Sequence, residues 1–347
     1  MEKDNEHRKE HLMATSFVLL SAMPPTLGHA DLINFAAALG DSTKVVHVLR
    51  EGEPYRQERL QSLRDRFAGD PSVEVLPLEI PAWDEAVGET NLEWADFLRS
   101  KGFEPGDLLV VSEPWGAEIA GYLGGEFFPY DMERTIRYTK ATGIRENLAD
   151  NWGWVIPEFQ RLIQKRIVIF GAESTGKSTL ARAIRDALKN TIAVPEYARG
   201  YLENTPGELN DPKMRGIWRG QKALQQGLQA MDPVPQAVIL DTDLYSTLGY
   251  WEFWSPETVP AGLKEDADEL RADLYLFLDS SIPFETDPIR YGGDHREQSD
   301  DYWRSVLRAH ELPFVELSKS TVQGRLSEAL EAIDGIVPRV INHRRLE

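Results

Sequence analysis

A chain of 347 residues is longer than a single hydrophobic core usually organises, and the length favours two domains. Its 57 Asp and Glu outnumber 38 Lys and Arg to leave a net charge of −19, which argues against a nucleic-acid partner and requires that small anionic substrates be met by local Arg and Lys clusters. With no cysteine there is no disulfide, thiolate nucleophile or Cys-based zinc site. The first dozen residues mix both charge signs without the apolar stretch of a signal peptide, and no later run approaches the ~18 apolar residues of a membrane span. A cytoplasmic protein without a membrane partner is expected.

Short apolar runs at residues 17–20, 44–49, 73–76 and 108–111 alternate with helix-like stretches, the rhythm of an α/β fold with a parallel sheet. Directly after the first run, residues 21–29 lead into a helical face formed by Leu32, Phe35, Ala36 and Leu39, which puts Thr26, Gly28 and His29 at a helix start. Backbone N–H groups and an imidazole at such a turn can meet the α-phosphate of a nucleotide, and the Thr26 hydroxyl can donate to neighbouring phosphate oxygens. The same residues taken alone also read as a helix cap beside a core histidine. Trp83 and Trp94 present indole faces to which a flat cationic ring is attracted, although core packing is the commoner use of such residues. Residues 147–165, with Trp152, Trp154 and Pro157, read as a packed connector. A boundary near residue 164 divides the chain into domains 14–164 and 165–340.

The run Gly171-Ala172-Glu173-Ser174-Thr175-Gly176-Lys177-Ser178, followed by Thr179, matches the phosphate-cradling pattern G-x-x-x-x-G-K-[ST]. Its glycines let backbone N–H groups turn toward phosphate oxygens, Lys177 can reach the β- and γ-phosphates, and the Ser178 hydroxyl can hold Mg2+. The context agrees: Ile167 to Phe170 is an apolar run suited to a strand buried on both faces, and Leu180, Ile184 and Leu188 share one helical face behind the loop. Further strands are expected at residues 192–194, 237–240, 274–278 and 314–317. Glu196, Tyr197 and Arg199 end the first of these, with Glu196 a candidate general base and Arg199 a candidate clamp. Asp241 and Asp243 end the next, where an apolar strand closing on Asp reads as a Mg2+-binding element and, alternatively, as a helix N-cap. The segment from Asp287 to Arg296 combines Arg with paired Gly, so that Arg290 or Arg296 could swing onto a transferring phosphoryl group; a plain exposed loop fits equally.

The turn ending in Gly28-His29, the segment Ser112-Glu113-Pro114-Trp115-Gly116 and the run from Arg134 to Arg145 together resemble the nicotinamide mononucleotide adenylyltransferase domain of bifunctional NadR-type proteins. The phosphate loop, Pro195-Glu196-Tyr197-Ala198-Arg199 and Asp241-Thr242-Asp243 resemble the ribosylnicotinamide kinase domain of the same family, in order and at similar separations. The resemblance spans roughly residues 16–320. It implies two doubly wound parallel-sheet domains, an HxGH-type nucleotidyltransferase Rossmann-like domain followed by a P-loop kinase domain. His29, Thr142, Ile144 and Arg145 match the family pattern, while Thr26 stands where it usually has a first His and Lys140 where it has Ser. Thr at the first position occurs in pantetheine-phosphate adenylyltransferases.

The resemblance further implies that Lys140, Thr142 and Arg145 grip ATP phosphates, with Thr26 and Lys140 as substitute contacts, and that Glu196, Tyr197 and Arg199 meet the kinase substrate. The expected activities are ATP-dependent phosphorylation of nicotinamide riboside in the second half and adenylyl transfer from ATP to nicotinamide mononucleotide, giving NAD, in the first. Two rival readings are a kinase carrying a degenerate nucleotide-binding first half, and a non-catalytic NAD or ATP sensor. About fifteen residues precede the first strand, too few for the N-terminal helix-turn-helix domain of many family members. A homo-oligomer is left open.

Overall fold

The computed structural model describes residues 14–82, 90–137, 140–282 and 296–341. The chain forms two compact units: one runs through Leu162 and takes up the chain again from Arg339, and the other spans Ile163–Pro338. Among the described residues no helix is long and apolar enough to cross a membrane.

The first unit carries β1 (Thr15–Leu20), α1 (Leu27–Leu39), β2 (Ser42–Arg50), α2 (Arg56–Phe67), β3 (Val73–Ile80), α3 (Asn91–Ser100), β4 (Leu108–Val111), α4 (Gly116–Leu123), β5 (Glu126–Pro129), α5 (Ala141–Glu146) and α6 (Pro157–Ile163), the last ending at the unit boundary. Among the described residues its sheet has the order β3-β2-β1-β4-β5, with every pairing parallel. Successive side chains of a strand point to opposite faces. On one face Phe17 and Leu19 of β1 pack with Val46, Val48, Leu109 and Val111 against Ala95 and Leu98 of α3 and Ile119 and Leu123 of α4. Val18 and Leu20 are buried on the other face, which is why β1 is apolar from Phe17 to Leu20.

Strand β5 was not legible from the hydropathy pattern. It is a four-residue edge strand, half exposed, held by its register with β4 from Leu108↔Glu126 to Val111↔Pro129. Gly116 allows the tight entry into α4 beside it, since a β-carbon there would lie 2.4 Å from Val111 and 2.6 Å from Phe127. The connector packs as its aromatic content suggested: a 3-10 turn at Trp152–Trp154 buries Trp152, and Val155, Ile156 and Phe159 follow it inside. The N–H of Ile156 donates to the carbonyl of Pro25 at 3.1 Å, so the connector backs the turn that leads to Thr26.

The second unit carries β6 (Lys165–Phe170), α7 (Lys177–Ala187), β7 (Thr191–Val194), α8 (Tyr197–Asn204), α9 (Asp211–Gly227), β8 (Ala237–Leu240), α10 (Leu244–Trp254), α11 (Ala261–Glu269), β9 (Leu274–Leu278), α12 (Arg296–Ala309), β10 (Phe314–Leu317) and α13 (Val322–Asp334). Its sheet has the order β10-β9-β6-β8-β7 among the described residues, again parallel throughout. Ile167 and Ile169 join a core with α7 and α13, whereas Val168 and Phe170 join one with α9, α10, α11 and α12. Helices therefore cover both faces of both sheets, the doubly wound α/β architecture.

Two tyrosines of α8 lie on glycines of α9. A β-carbon at Gly216 would fall 2.2 Å from the hydroxyl of Tyr201, and one at Gly220 would fall 1.9 Å from the ring of Tyr197. Gly220→Ala is expected to push Tyr197 off this seat and to cost about 1–3 kcal/mol of stability, as overpacking does elsewhere. Chemical denaturation of the variant against the parent chain measures it, and an unchanged midpoint would contradict the packing described.

Candidate active sites

In the first unit the strand order reverses between β1 and β4, and ligands of open α/β sheets bind outside the carboxyl ends of strands at such a point. The chain leaving β1 reaches Thr26, the N-cap of α1. Its backbone N–H donates to Nδ1 of His29 at 3.1 Å, its hydroxyl lies 2.8 Å from the same nitrogen, and the hydroxyl oxygen accepts from the His29 N–H at 3.3 Å. A ring nitrogen that accepts from a backbone N–H carries no proton, so the neutral imidazole holds its hydrogen on Nε2. Burial first, then the charges of Arg134, Arg145 and Arg59, hold the His29 pKa down at about 4, and the ring is neutral at pH 7. The Thr26 hydroxyl, expected to contact phosphate, bonds in this structure to His29 and the helix start, where it orients the imidazole. Gly28 meets only ordinary contacts at 3.7 and 3.9 Å, so packing does not demand glycine.

Arg145 of α5 donates from Nη1 to the carbonyl of Met23 at 2.9 Å and from Nη2 to Thr142 Oγ1 at 3.1 Å, which brings it to the exit of β1. Lys140 is the exposed N-cap residue of α5 and makes no capping bond with its side chain. Arg134, paired with Glu113, joins this cluster, and sequence reasoning did not single it out. Its turn is built by the Asp131 carboxylate, which accepts the N–H groups of Thr135, Ile136 and Arg137 at 2.7 to 3.3 Å. The signal available was the density of Arg in residues 134–145.

A cavity of about 280 Å³ opens at the ends of β1 and β2, lined by Leu19, Leu20, Ser21, Val48, Arg50, Glu53, Trp94 and Trp115. Trp94 is thus a wall of the cavity, and Trp115, quoted only as part of its segment in the sequence, is its second indole. Trp83 lies outside the described residues. Glu53 of the cavity wall accepts from fully buried Arg59 at 2.9 Å, and the pKa of His47 on β2 is driven down to about 3 by burial and by Arg59.

In the second unit the phosphate loop leaves β6, where the strand order also reverses. Gly171 has φ +139°, and a β-carbon there would lie 2.3 Å from the carbonyl oxygen of Leu278 at the end of β9. Ser174 and Gly176 follow at φ 56° and 90°, and Gly176 is the N-cap of α7. Lys177 Nζ donates to the carbonyls of Gly171 at 3.0 Å and Ala172 at 2.7 Å, and the Thr175 hydroxyl donates to Ala172 at 2.9 Å. Half-buried Glu173 and exposed Thr179 flank the loop.

The two aspartates after β8 differ in kind. Ser178 Oγ donates to Asp241 Oδ2, while Asp241 Oδ1 is buried and has no hydrogen-bond partner. Asp243 is instead the N-cap of α10: Oδ1 accepts from Ser246 N–H at 2.8 Å and Ser246 Oγ at 3.0 Å, and Oδ2 accepts from buried Tyr275 at 2.8 Å. Asp243, expected as a Mg2+ residue alongside Asp241, has both oxygens hydrogen-bonded within the protein and is 1% exposed. Glu196 caps the start of α8 in position though not by a side-chain bond, and lies 4.0 Å from Arg199. Tyr197 stacks on Tyr201 at 6.0 Å. Arg290 and the side chain of Arg296 lie outside the described residues.

A family model described as an AAA domain matches residues 166–325. The trifunctional NAD biosynthesis/regulator protein NadR of Salmonella typhimurium is 24% identical over 244 residues, covering 68% of this chain and 58% of the relative. NadR of Escherichia coli is 25% identical over 245 residues with the same coverage, so the chain spans less than two thirds of these curated relatives. Among solved structures, a NadR protein in complex with NR matches at TM-score 0.57 and 23% identity, covering 96% of this chain and 98% of that one. A NadR protein with NAD and AMP-PNP matches at TM-score 0.58 and 24% identity, covering 95% and 98%. The chain is homologous to NadR, and it shares the fold of those structures over 95–96% of its length.

His29 and His47 have folded pKa values of about 4 and about 3, below the ordinary 6.5. The unfolded chain therefore takes up protons first as pH falls, so the contribution of these two groups to stability is fully present above about pH 6.5 and is lost as pH drops toward 4 and then 3. Imidazole resonances followed by NMR should stay constant from pH 8 to 5 for both residues. A midpoint near 6.5 for either would contradict its placement.

Proposed function

We propose that the chain is a bifunctional enzyme of NAD salvage. Its second unit phosphorylates nicotinamide riboside with ATP, and its first unit joins the mononucleotide to the adenylyl group of ATP. The observation that carries the reading is the presence, in one NadR-homologous chain, of a phosphate loop backed by the Ser178–Asp241 pair and of an oriented, neutral His29 ringed by arginines.

In the kinase step the 5′-hydroxyl oxygen of the riboside attacks the γ-phosphorus and ADP departs. Glu196 takes the hydroxyl proton and Arg199 clamps the substrate, with Tyr197 beside them. Lys177 exchanges its loop carbonyls for β- and γ-phosphate oxygens. A Mg2+ ion fits the hydroxyl of Ser178 and the unpartnered oxygen of Asp241, a small oxygen set that leaves room for water and phosphate ligands. Bound there, it would offset phosphate charge.

In the adenylyl step a phosphate oxygen of the mononucleotide attacks the α-phosphorus of ATP and pyrophosphate departs. The nucleophile is already an anion, so positioning and charge stabilisation suffice. His29 donates from Nε2 to an α-phosphate oxygen, and Arg134, Arg145 and Lys140 hold the remaining negative charge. The cavity between Trp94 and Trp115 suits the cationic nicotinamide ring, with Arg50 and Glu53 at its polar end.

Lys177→Ala should reduce ADP formation from the riboside by about 10²–10³-fold and leave NAD formation from the mononucleotide intact, and His29→Ala should do the reverse. Chromatography of the products after separate incubations decides it; parallel loss of both activities in either variant would sink the assignment of independent sites. Trp94→Ala should raise the KM for the mononucleotide about tenfold, the scale of one lost cation–π contact, with kcat little changed.

A further inference from the structure

Arg325, on the inner face of α13, is 3% exposed and makes a hydrogen bond from each guanidinium nitrogen. Nη1 donates to the carbonyl of Thr175 in the phosphate loop at 2.7 Å. Nη2 faces the carbonyl of Asp279 at 3.1 Å, its carboxylate at 2.6 Å and the hydroxyl of Ser281 at 3.0 Å. Nε donates to the carbonyl of Lys319 at 2.7 Å. One planar group thus ties together the three loops that leave β6, β9 and β10. The Asp279 carboxylate compensates its charge, without which burial of a guanidinium would be prohibitive.

The contact with Thr175 has a geometric consequence. In a planar trans peptide the carbonyl and the following N–H point in opposite directions. A Thr175 carbonyl held on Arg325 therefore turns the N–H of Gly176 away from Arg325. Gly176 has φ 90°, so this peptide plane sits in a backbone region that the chain alone does not enforce. A buried, branched donor with fixed angles can hold it, as a lysine ammonium with freely rotating hydrogens cannot.

We propose that Arg325 is a positioning residue for nucleotide phosphate in the second unit, setting the orientation of the Thr175–Gly176 peptide against the exits of β9 and β10. The inference rests on the kinase reading of that unit, although it does not depend on which hydroxyl accepts the phosphoryl group.

The test compares the parent chain with Arg325→Met and Arg325→Lys by hydrogen exchange of the peptide covering residues 171–180, with and without Mg2+ and a non-hydrolysable ATP analogue. This readout is local to the loop, so nucleotide bound elsewhere in the chain does not enter it. Loop amides should exchange about tenfold faster in both free variants, and the analogue concentration for half-protection should rise about tenfold, the scale of losing one hydrogen bond to a charged group. In kinase assays the KM for ATP should rise in step in Arg325→Lys, which keeps the charge and loses the fork. A residue with a merely structural role would lower kcat through a smaller active fraction and leave KM and half-protection unchanged. That outcome in Arg325→Lys overturns the proposal. If the parent loop is protected by the analogue yet the riboside yields no ADP, the substrate reading fails and the assignment of Arg325 stands on its own exchange data.

Discussion

Both units depend on the same constraint, a central parallel strand covered on each face by helices. β1 and β6 have no solvent side, so their flanks carry Phe17 and Val18, or Ile167 and Val168, and leave no place for polar chemistry. Polar groups can gather only where these strands end, and both strands end beside a reversal of strand order. There the chain must turn sharply into a helix. In the second unit the turn is so close to its neighbour that Gly171 has no room for a β-carbon against Leu278. In the first, Thr26 makes the turn by capping α1 with the same hydroxyl that orients His29.

An overall charge of −19 makes the positive clusters at these exits specific structural features. Burial is the largest cause of the lowered His29 pKa, and the charges of Arg134, Arg145 and Arg59 lower it further. Two of the chain's arginines, Arg59 and Arg325, are buried with one carboxylate each, Glu53 and Asp279. Buried ion pairs of this kind contribute little net stability, since desolvation offsets the attraction. Their effect is to hold backbone in place: Arg59 reaches the carbonyl of Val48, and Arg325 the carbonyls of three loops. The field that would attract a polyphosphate and the scaffold that aims it therefore use the same residue type at different depths.

The phosphate loop and the strand-turn-helix at Thr26 were legible because each is local, an apolar run, a few turn residues and a helical stripe in immediate succession. The edge strand β5 escaped because four half-exposed residues carry no period; its identity comes from pairing with β4. Asp241 and Asp243 are two residues apart and indistinguishable as letters. Partners far along the chain separate them, Ser178 for one and Ser246 with Tyr275 for the other. Trp115 joined Trp94 only when α3 and the end of β4 met across the cavity. The return of the chain after Arg339, where Ile341 N–H donates to Arg145 and Leu148 N–H to Arg339 at 2.9 Å each, had no sequence signal.

The amino-acid sequence by itself determined the α/β class, the two-part organisation and the placing of a nucleotide loop after a buried strand, because hydrophobic period and turn chemistry act over a few residues. Tertiary structure decided which side chains meet: that Thr26 orients His29, that Asp241 faces the loop while Asp243 caps a helix, and that Arg325 reaches Thr175 across 150 residues. Hydrogen bonds and charges act between neighbours in space, and strand order, which sets those neighbours, is written in no single segment of the chain.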